Sequence, residues 1–383
     1  MNTQRGFLRR RGKTWTAYWY TDTVDGRKQH TKGGFAMRKD AQVFLTDAMA
    51  AIGGGSFAEP VKVRVGEYLI EQWLPTRELQ LRPSTYSSYE VMINKHVLPE
   101  LGGVKIQQLT ANHLDRFYAK LSKSGLSPKT VHNVHVMLHK ALHDAVRKSL
   151  IPKNPAEAAD PPSIKKADRG EMSIWTPEQV RTFFDGIAKH RLAAAYILSA
   201  ITGMRRGEIL GLRWSDIDFA EKLLVINQTV VSVNYEILTG GPKTAGSRRR
   251  IALDDHTLGI LAAHQAAQQK ERELLGRLCV NDDLVFARTE GGPTHPDYFS
   301  QTFDRTVKRL QLPKIRLHDL RHTNATVGLA AGVPTKIMSA RLGHATTAFT
   351  QDVYMSSTDP LERDAAARIA RAVFRPEPPP ICP

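Results

Sequence analysis

Two stretches of the chain cannot continue a helix or a strand, and they limit what the rest can build. Gly53-Gly54-Gly55-Ser56 gives a joint with almost no side chain to pack. Further on, Pro152, Pro155, Pro161 and Pro162 remove backbone donors and fix the chain direction. A chain of 383 residues interrupted twice in this way must bury a separate core in each piece. The pieces are 1–56, 58–160 and 171–372, with a linker over 161–170 and a flexible, proline-rich tail over 373–383.

Periodicity within the pieces predicts a multidomain, mainly α-helical protein with small β-sheets. In the first, the aromatic run Trp15 to Tyr20 reads as a strand, Asp25-Gly26 as a turn and Arg27 to Thr31 as the return strand. Asp40 to Ile52 places Ala41, Phe44, Leu45, Ala48 and Ile52 near one helical face. In the second, Val65, Leu69 and Trp73 share a face, and Pro83-Ser84 opens a helix through Tyr89 and Ile93. Thr110 and Ser127 are N-cap residues for two further amphipathic helices. In the third, Thr176-Pro177-Glu178-Gln179 is a helix start, and Leu192 to Ile201 is a buried helix. Leu223 to Val233 reads as one β-branched strand, and Arg249 to Leu253 as a second after a turn at Gly240-Gly241. Helices then follow at 256–275, 298–310, 320–330 and 335–342.

Charge narrows the partners. Lys and Arg number 54 against 38 Asp and Glu, a formal charge of +16. The first 40 residues hold ten of the cations and three acids, a net +7. A solvated face is one reading of that cluster. A site for a polyanion is the better one, because the charges otherwise repel each other. No apolar run is long enough to predict a membrane-spanning helix, and Met1 to Arg11 does not lead into a secretory signal core. Cys279 and Cys382 are too few for a disulfide framework, so a reduced, cytoplasmic protein without a cysteine-built metal site is expected.

No nucleotide-binding glycine loop and no His-Glu-x-x-His pattern occurs. His132, His135, His139 and His143 lie along one helix without a converging acid or thiol, which argues against a metal. A face on phosphates and a plain polar face both remain open for them. The third piece holds a different set. Arg205 lies in Thr202-Gly-Met-Arg-Arg-Gly-Glu208, and Lys243 lies in Gly-Pro-Lys-Thr-Ala-Gly-Ser-Arg between strands. His318 and Arg321, one helical turn apart, lie in His-Asp-Leu-Arg-His. His344 lies in Leu-Gly-His, and Tyr354 follows it. Each residue taken alone has an ordinary structural reading.

Together they resemble the tyrosine recombinase, or phage-type integrase, family. Its pattern is Arg, a β-hairpin Lys, His-x-x-Arg, His or Trp, and a nucleophilic Tyr. Thr202 through Asp218 resembles the first box, and Leu317 to Thr323 with Leu342 through Tyr354 resembles the second. Residues 60–155 look like the helical, SAM-like core-binding domain. Residues 1–56 look like a small arm-site-binding domain, a three-stranded sheet with one helix. One departure is Ser356, where many members carry His.

The resemblance implies an α+β catalytic domain over 171–372 that cuts and rejoins DNA with no cofactor, metal or ATP. Tyr354 would attack phosphorus, Lys243 would protonate the leaving oxygen, and His318 would help accept the tyrosine proton. Arg205, Arg321, His318 and His344 would meet the phosphate charge, with Glu208 in support of the arginine pair. Guanidinium groups suit this work because they are always charged and grip two oxygens. Arg9, Arg10, Arg11 and Lys28 are candidate arm-site contacts, and Lys165, Lys166 and Arg169 candidate linker contacts. The implied partners are double-stranded attachment sites of core and arm type and three further copies in a tetrameric synapse. A directionality factor and a host DNA-bending protein are possible additions. A short helix over 358–372 would pack on its own protomer or on a neighbour. The rivals are a resolvase or transposon-type recombinase, a type IB topoisomerase using the same chemistry, and a DNA-binding protein without catalysis.

Overall fold

The computed structural model describes residues 6–23, 26–53, 61–164, 173–241, 248–276, 280 and 283–343. It divides into two compact units, residues 1–168 and 169–383. Small antiparallel sheets and a larger number of helices make up both.

The first unit opens with β1 (Phe7–Arg11), β2 (Thr14–Thr23) and β3 (Gly26–Phe35), an antiparallel sheet in that order. Alternation turns Ala17 and Trp19 toward α1 (Arg38–Gly53), where Leu45 and Ala48 complete a small core. Trp19 meets Phe44 edge-on at 5.4 Å. Sequence periodicity found β2, β3 and α1. It did not find β1, whose run of arginines hides the alternation. Part of the Asp25-Gly26 turn lies outside the described residues.

A second core in this unit is helical. α2 (Val65–Glu67) runs into a π-helical turn, Tyr68–Trp73, that buries Val65, Leu69 and Trp73 on one side. α3 (Pro83–Met92), α4 (Leu98–Leu101), α5 (Ala111–Lys123) and α6 (Pro128–Arg147) follow. Thr110 and Ser127 cap α5 and α6 through hydroxyls that accept from His113 and Thr130 backbone N–H groups. α6 buries Val131, Val134, Leu138, Ala141 and Ala145. Its Asp144 is also buried: Trp73 Nε1 donates to the carboxylate at 2.8 Å, and Arg77 pairs with it. That contact joins two helical segments about 70 residues apart in sequence.

In the second unit, α7 (Pro177–Ile187) starts on the Thr176 capping box, and α8 (Ala193–Thr202) is buried over most of its surface. α9 (Arg206–Leu210) is a single turn and a half. A three-stranded antiparallel sheet joins β4 (Ile217–Asp218), β5 (Leu223–Val225) and β8 (Arg250–Ala252) in the order β4-β5-β8. A separate hairpin pairs β6 (Thr229–Val233) with β7 (Glu236–Gly240). The helices α10 (Asp255–Leu275), α11 (Pro296–Arg309), α12 (Asp319–Ala330) and α13 (Thr335–Leu342) complete it.

One expectation is corrected here. Leu223 to Val233 is not one strand: β5 joins β8 while β6 turns to β7, and Asn227 between them donates to Asp216 at 2.8 Å. No glycine or proline marks that break, so a continuous apolar run concealed it. A further turn, not expected from the sequence, joins β6 to β7 at Asn234 and Tyr235, both with positive φ (51° and 66°), while the segment after Gly240-Gly241 that leads to β8 lies outside the described residues over 242–247. Such a pair is the left-handed geometry that two-residue hairpin loops need, and tyrosine is a poor signal for it. Across the unit, Trp175, Phe183, Tyr196, Phe299 and Phe303 form an aromatic centre, with Tyr196 stacked on Phe299 at 4.5 Å.

Replacing Asp144 strands one buried indole N–H and one guanidinium at once. Asp144→Ala is expected to destabilise the first unit by about 3 kcal/mol. Scanning calorimetry checks this: the transition of that unit falls while that of the second unit stays in place.

Candidate active site

α8 ends on Gly203 in the left-handed conformation (φ 65°), which turns the chain back toward α9. A side chain there would meet Leu342 Cδ2 at 2.5 Å, so the turn also depends on glycine for space. Arg205 follows as the N-cap of α9. Its backbone N–H donates to Glu208 Oε2 at 2.8 Å and its Nη1 to Glu208 Oε1 at 2.9 Å. Gly207 lets this turn lie against the hairpin, since a Cβ would come 2.6 Å from the Val230 carbonyl.

Arg321, on the first turn of α12, is buried. Its Nη1 donates to the Gly203 carbonyl and its Nη2 to the Leu342 carbonyl, both at 2.7 Å. Arg205 Nη2 donates to the neighbouring Gly343 carbonyl at 3.3 Å. Two arginines distant in sequence therefore meet at the end of α13, and Arg321 grips the end of α8 as well. Carbonyls at a helix C-terminus carry partial negative charge, which draws guanidinium groups to them.

Glu208 is only 2% exposed. Burial pushes its carboxyl up, but hydrogen bonds and charge from Arg249, together with Arg205, hold it below the ordinary carboxylate range. Of the two arginines that Glu208 was expected to support, it contacts Arg205. The second cation on the carboxylate is Arg249, not Arg321: Arg249 donates from Nη2 at 2.8 Å and from Nη1 at 3.1 Å. Its Nε also donates to the Arg341 carbonyl at 2.6 Å. Reading the sequence placed Arg249 merely at a strand start. The usable signal was the period of two: counting back from buried Ile251 turns the middle arginine of Arg248-Arg249-Arg250 inward.

His318 precedes α12, and its ring meets His322 edge-on at 5.4 Å. Loss of water around the ring, then His322, Arg321 and Arg205, push it down to about 4, against an upward pull from Asp319. More than a third of the residue is still open to solvent, which screens part of this effect. The firm consequence is a neutral ring at pH 7. Lys243, His344 and Tyr354 lie outside the described residues, as do the linker candidates Lys165, Lys166 and Arg169.

On the N-terminal sheet, strand register separates the candidate contacts. Arg9 and Arg11 pair with Thr16 and Thr14, on the face that carries Phe7 and Tyr18, stacked at 4.7 Å. Arg27 lies over Tyr20 at 4.5 Å on that same face, away from α1. Arg10 and Lys28 alternate to the opposite face. In the helical core of the first unit, His135 is bonded to the Tyr118 hydroxyl at 3.0 Å, so that ring is engaged in packing.

The chain matches the phage integrase family over residues 174–360 and the SAM-like N-terminal domain of phage integrases over residues 67–122. It belongs to the phage integrase family of tyrosine recombinases. It is 27% identical over 334 residues to a XerC-like tyrosine recombinase of Caldanaerobacter subterraneus subsp. tengcongensis, covering 83% of this chain and 85% of that one. It is 26% identical over 364 residues to the integrase of Mycobacterium phage L5, covering 92% and 94%. The fold is similar to that of the Tn1549 transposon integrase in complex with a circular intermediate DNA. That match has a TM-score of 0.67 at 21% identity and covers 80% of this chain and 100% of that chain.

The depressed His318 value has a measurable consequence. The folded protein disfavours the charged ring, so the stability contribution is whole above about 6.5 and declines as pH falls from there through the folded value. In DNA-free protein, an NMR titration should show the His318 ring titrating below 6.5, and bound half-site DNA should raise it. An unshifted titration in free protein would contradict the packing described.

Proposed function

We propose that this protein is a site-specific DNA recombinase of the integrase type, which cuts and rejoins strands through a 3′-phosphotyrosine and so integrates and excises a phage or mobile element. The observation that carries the reading is the convergence of Arg205 and Arg321 on adjacent carbonyls at the end of α13, immediately before His344. Family membership supports the same chemistry.

In this reading the scissile phosphodiester lies over Arg205 and Arg321, with His318 and His344 adding donors to its non-bridging oxygens. Tyr354 attacks phosphorus in line as its proton passes to His318, whose neutral ring can accept it. The bond to the 5′ oxygen breaks, and Lys243 gives that oxygen a proton, so a 5′-hydroxyl leaves and the 3′-phosphate stays on the tyrosine. Reversal with the 5′-hydroxyl of a partner strand rejoins DNA without an outside energy source. Fixed cations that meet charge as it develops are each worth a few kcal/mol, about 10²- to 10³-fold in rate.

Residues 1–56 serve as the arm-site module, 58–160 as the core-binding domain and 171–372 as the catalytic domain. Lys165, Lys166 and Arg169 in the linker would contact backbone phosphates. Exchange of four strands, with one nucleophile per protomer, calls for a tetramer. A directionality factor would favour excision, and a host bending protein would bring arm and core sites together. The XerC-like relative keeps a second reading, resolution of joined DNA molecules, in view. The basic N-terminal sheet favours integration.

Incubation with a nicked half-site in EDTA tests the chemistry: the wild type should form a covalent adduct, Tyr354→Phe none, and Arg321→Ala about 10²- to 10³-fold less in rate. An adduct that survives Tyr354→Phe would overturn the reading. The sheet is tested separately. Loss of Arg9 and Arg11 together should weaken arm-site binding and lower the salt slope by about one per lost phosphate contact, with Arg10→Ala having the smaller effect. Binding titrations across salt concentration check this.

A further inference from the structure

We propose that Arg249 is a positioning residue for DNA cleavage, a strut that fixes Arg205 and the end of α13 relative to each other. The inference rests on the recombinase reading above.

Arg249 stands just before β8 and is buried, with 6% of its side chain exposed. It reaches two different parts of the site with one rigid group. Two of its nitrogens hold both oxygens of Glu208, and the same carboxylate holds both the backbone and the guanidinium of Arg205. Its Nε holds the Arg341 carbonyl on the last turn of α13. The structure is filled around it: a Cβ on Gly343 would come 3.0 Å from Arg249 Nη1. The turn that carries Arg205 and the helix end that leads into His344 are therefore referenced to one planar group. A lysine in this place keeps the charge but has no fork to reach the carboxylate and the carbonyl together. Arg249 has no need to touch DNA for this, since it acts through Arg205. A misplacement of a cationic group by about 1 Å is enough to cost about 100-fold in rate.

The test measures single-turnover covalent capture on a nicked half-site, with either a normal scissile phosphate or a methylphosphonate there. The neutral methylphosphonate has less charge for a guanidinium to meet, so a fault in placing Arg205 matters less on it. Arg249→Met should lower the rate about 100-fold on phosphate, leave half-site affinity within about threefold, and fall only about tenfold behind wild type on methylphosphonate. Arg249→Lys should lie between the two. If Arg249→Met does not fold, Arg249→Lys carries the test, with about a tenfold loss on phosphate that narrows on methylphosphonate. Equal losses on both substrates, a loss that follows affinity alone, or no loss would overturn the proposal. A wild-type protein that forms no tyrosine adduct on either substrate would instead overturn the recombinase reading, so the two failures are distinct.

Discussion

The carbonyl oxygens left over at the ends of α8 and α13 fix where Arg205 and Arg321 lie in the second unit. A helix end must find donors for its last carbonyls, and here arginine side chains supply them, with the Asn324 amide at the end of α8. Gly203 and Gly343 end the two helices in left-handed geometry, which brings the carbonyls close enough for Arg321 to bridge them. The same contacts thus terminate helices, pack α12 against α8 and α13, and fix a cation in place.

That economy brings buried charge. Glu208 and Arg249 are both nearly free of solvent, and such a pair seldom adds net stability over well-packed apolar groups. Its justification is geometric. The carboxylate accepts from Arg205 and Arg249 together, so neither guanidinium is free to choose another rotamer. Asp144 does similar work in the first unit, where it fixes Trp73 and Arg77 against α6. Both acids are buried beneath arginine, and Glu208 also holds Arg205, a residue of the proposed site.

Much of this was legible in the sequence because it is local. Thr110, Ser127 and Thr176 announce their helices by hydroxyl and spacing, and the structure uses each hydroxyl as a cap. The first box and the His-Asp-Leu-Arg-His segment are continuous runs, so Arg205, His318 and Arg321 could be picked out at once. What stayed hidden depends on pairing between distant segments. The division of β5 from β6 is decided by which strand each meets, not by any residue between them. Arg249 looked like one cation among three until Glu208, from another element, was found opposite it. The arginines of β1 likewise gave no sign of their two faces without the register to β2.

The standing charge of the site follows from these partners. Among the described residues, Arg205, Arg249 and Arg321 against Glu208 leave a net of two positive charges, and the neutral His318 adds none. In the proposed reading, a phosphodiester entering such a site brings one negative charge, and attack by the tyrosine oxygen, as its proton passes to His318, moves the charge on the phosphate toward two. On that reading the fixed cations would match the reacting state better than the resting substrate, which is the condition for a binding site to accelerate a reaction. A histidine already charged would add attraction to substrate and product alike. Held neutral first by loss of water and then by its cationic neighbours, His318 would, in the proposed reading, keep its lone pair for a proton and gain its charge only as the reaction proceeds.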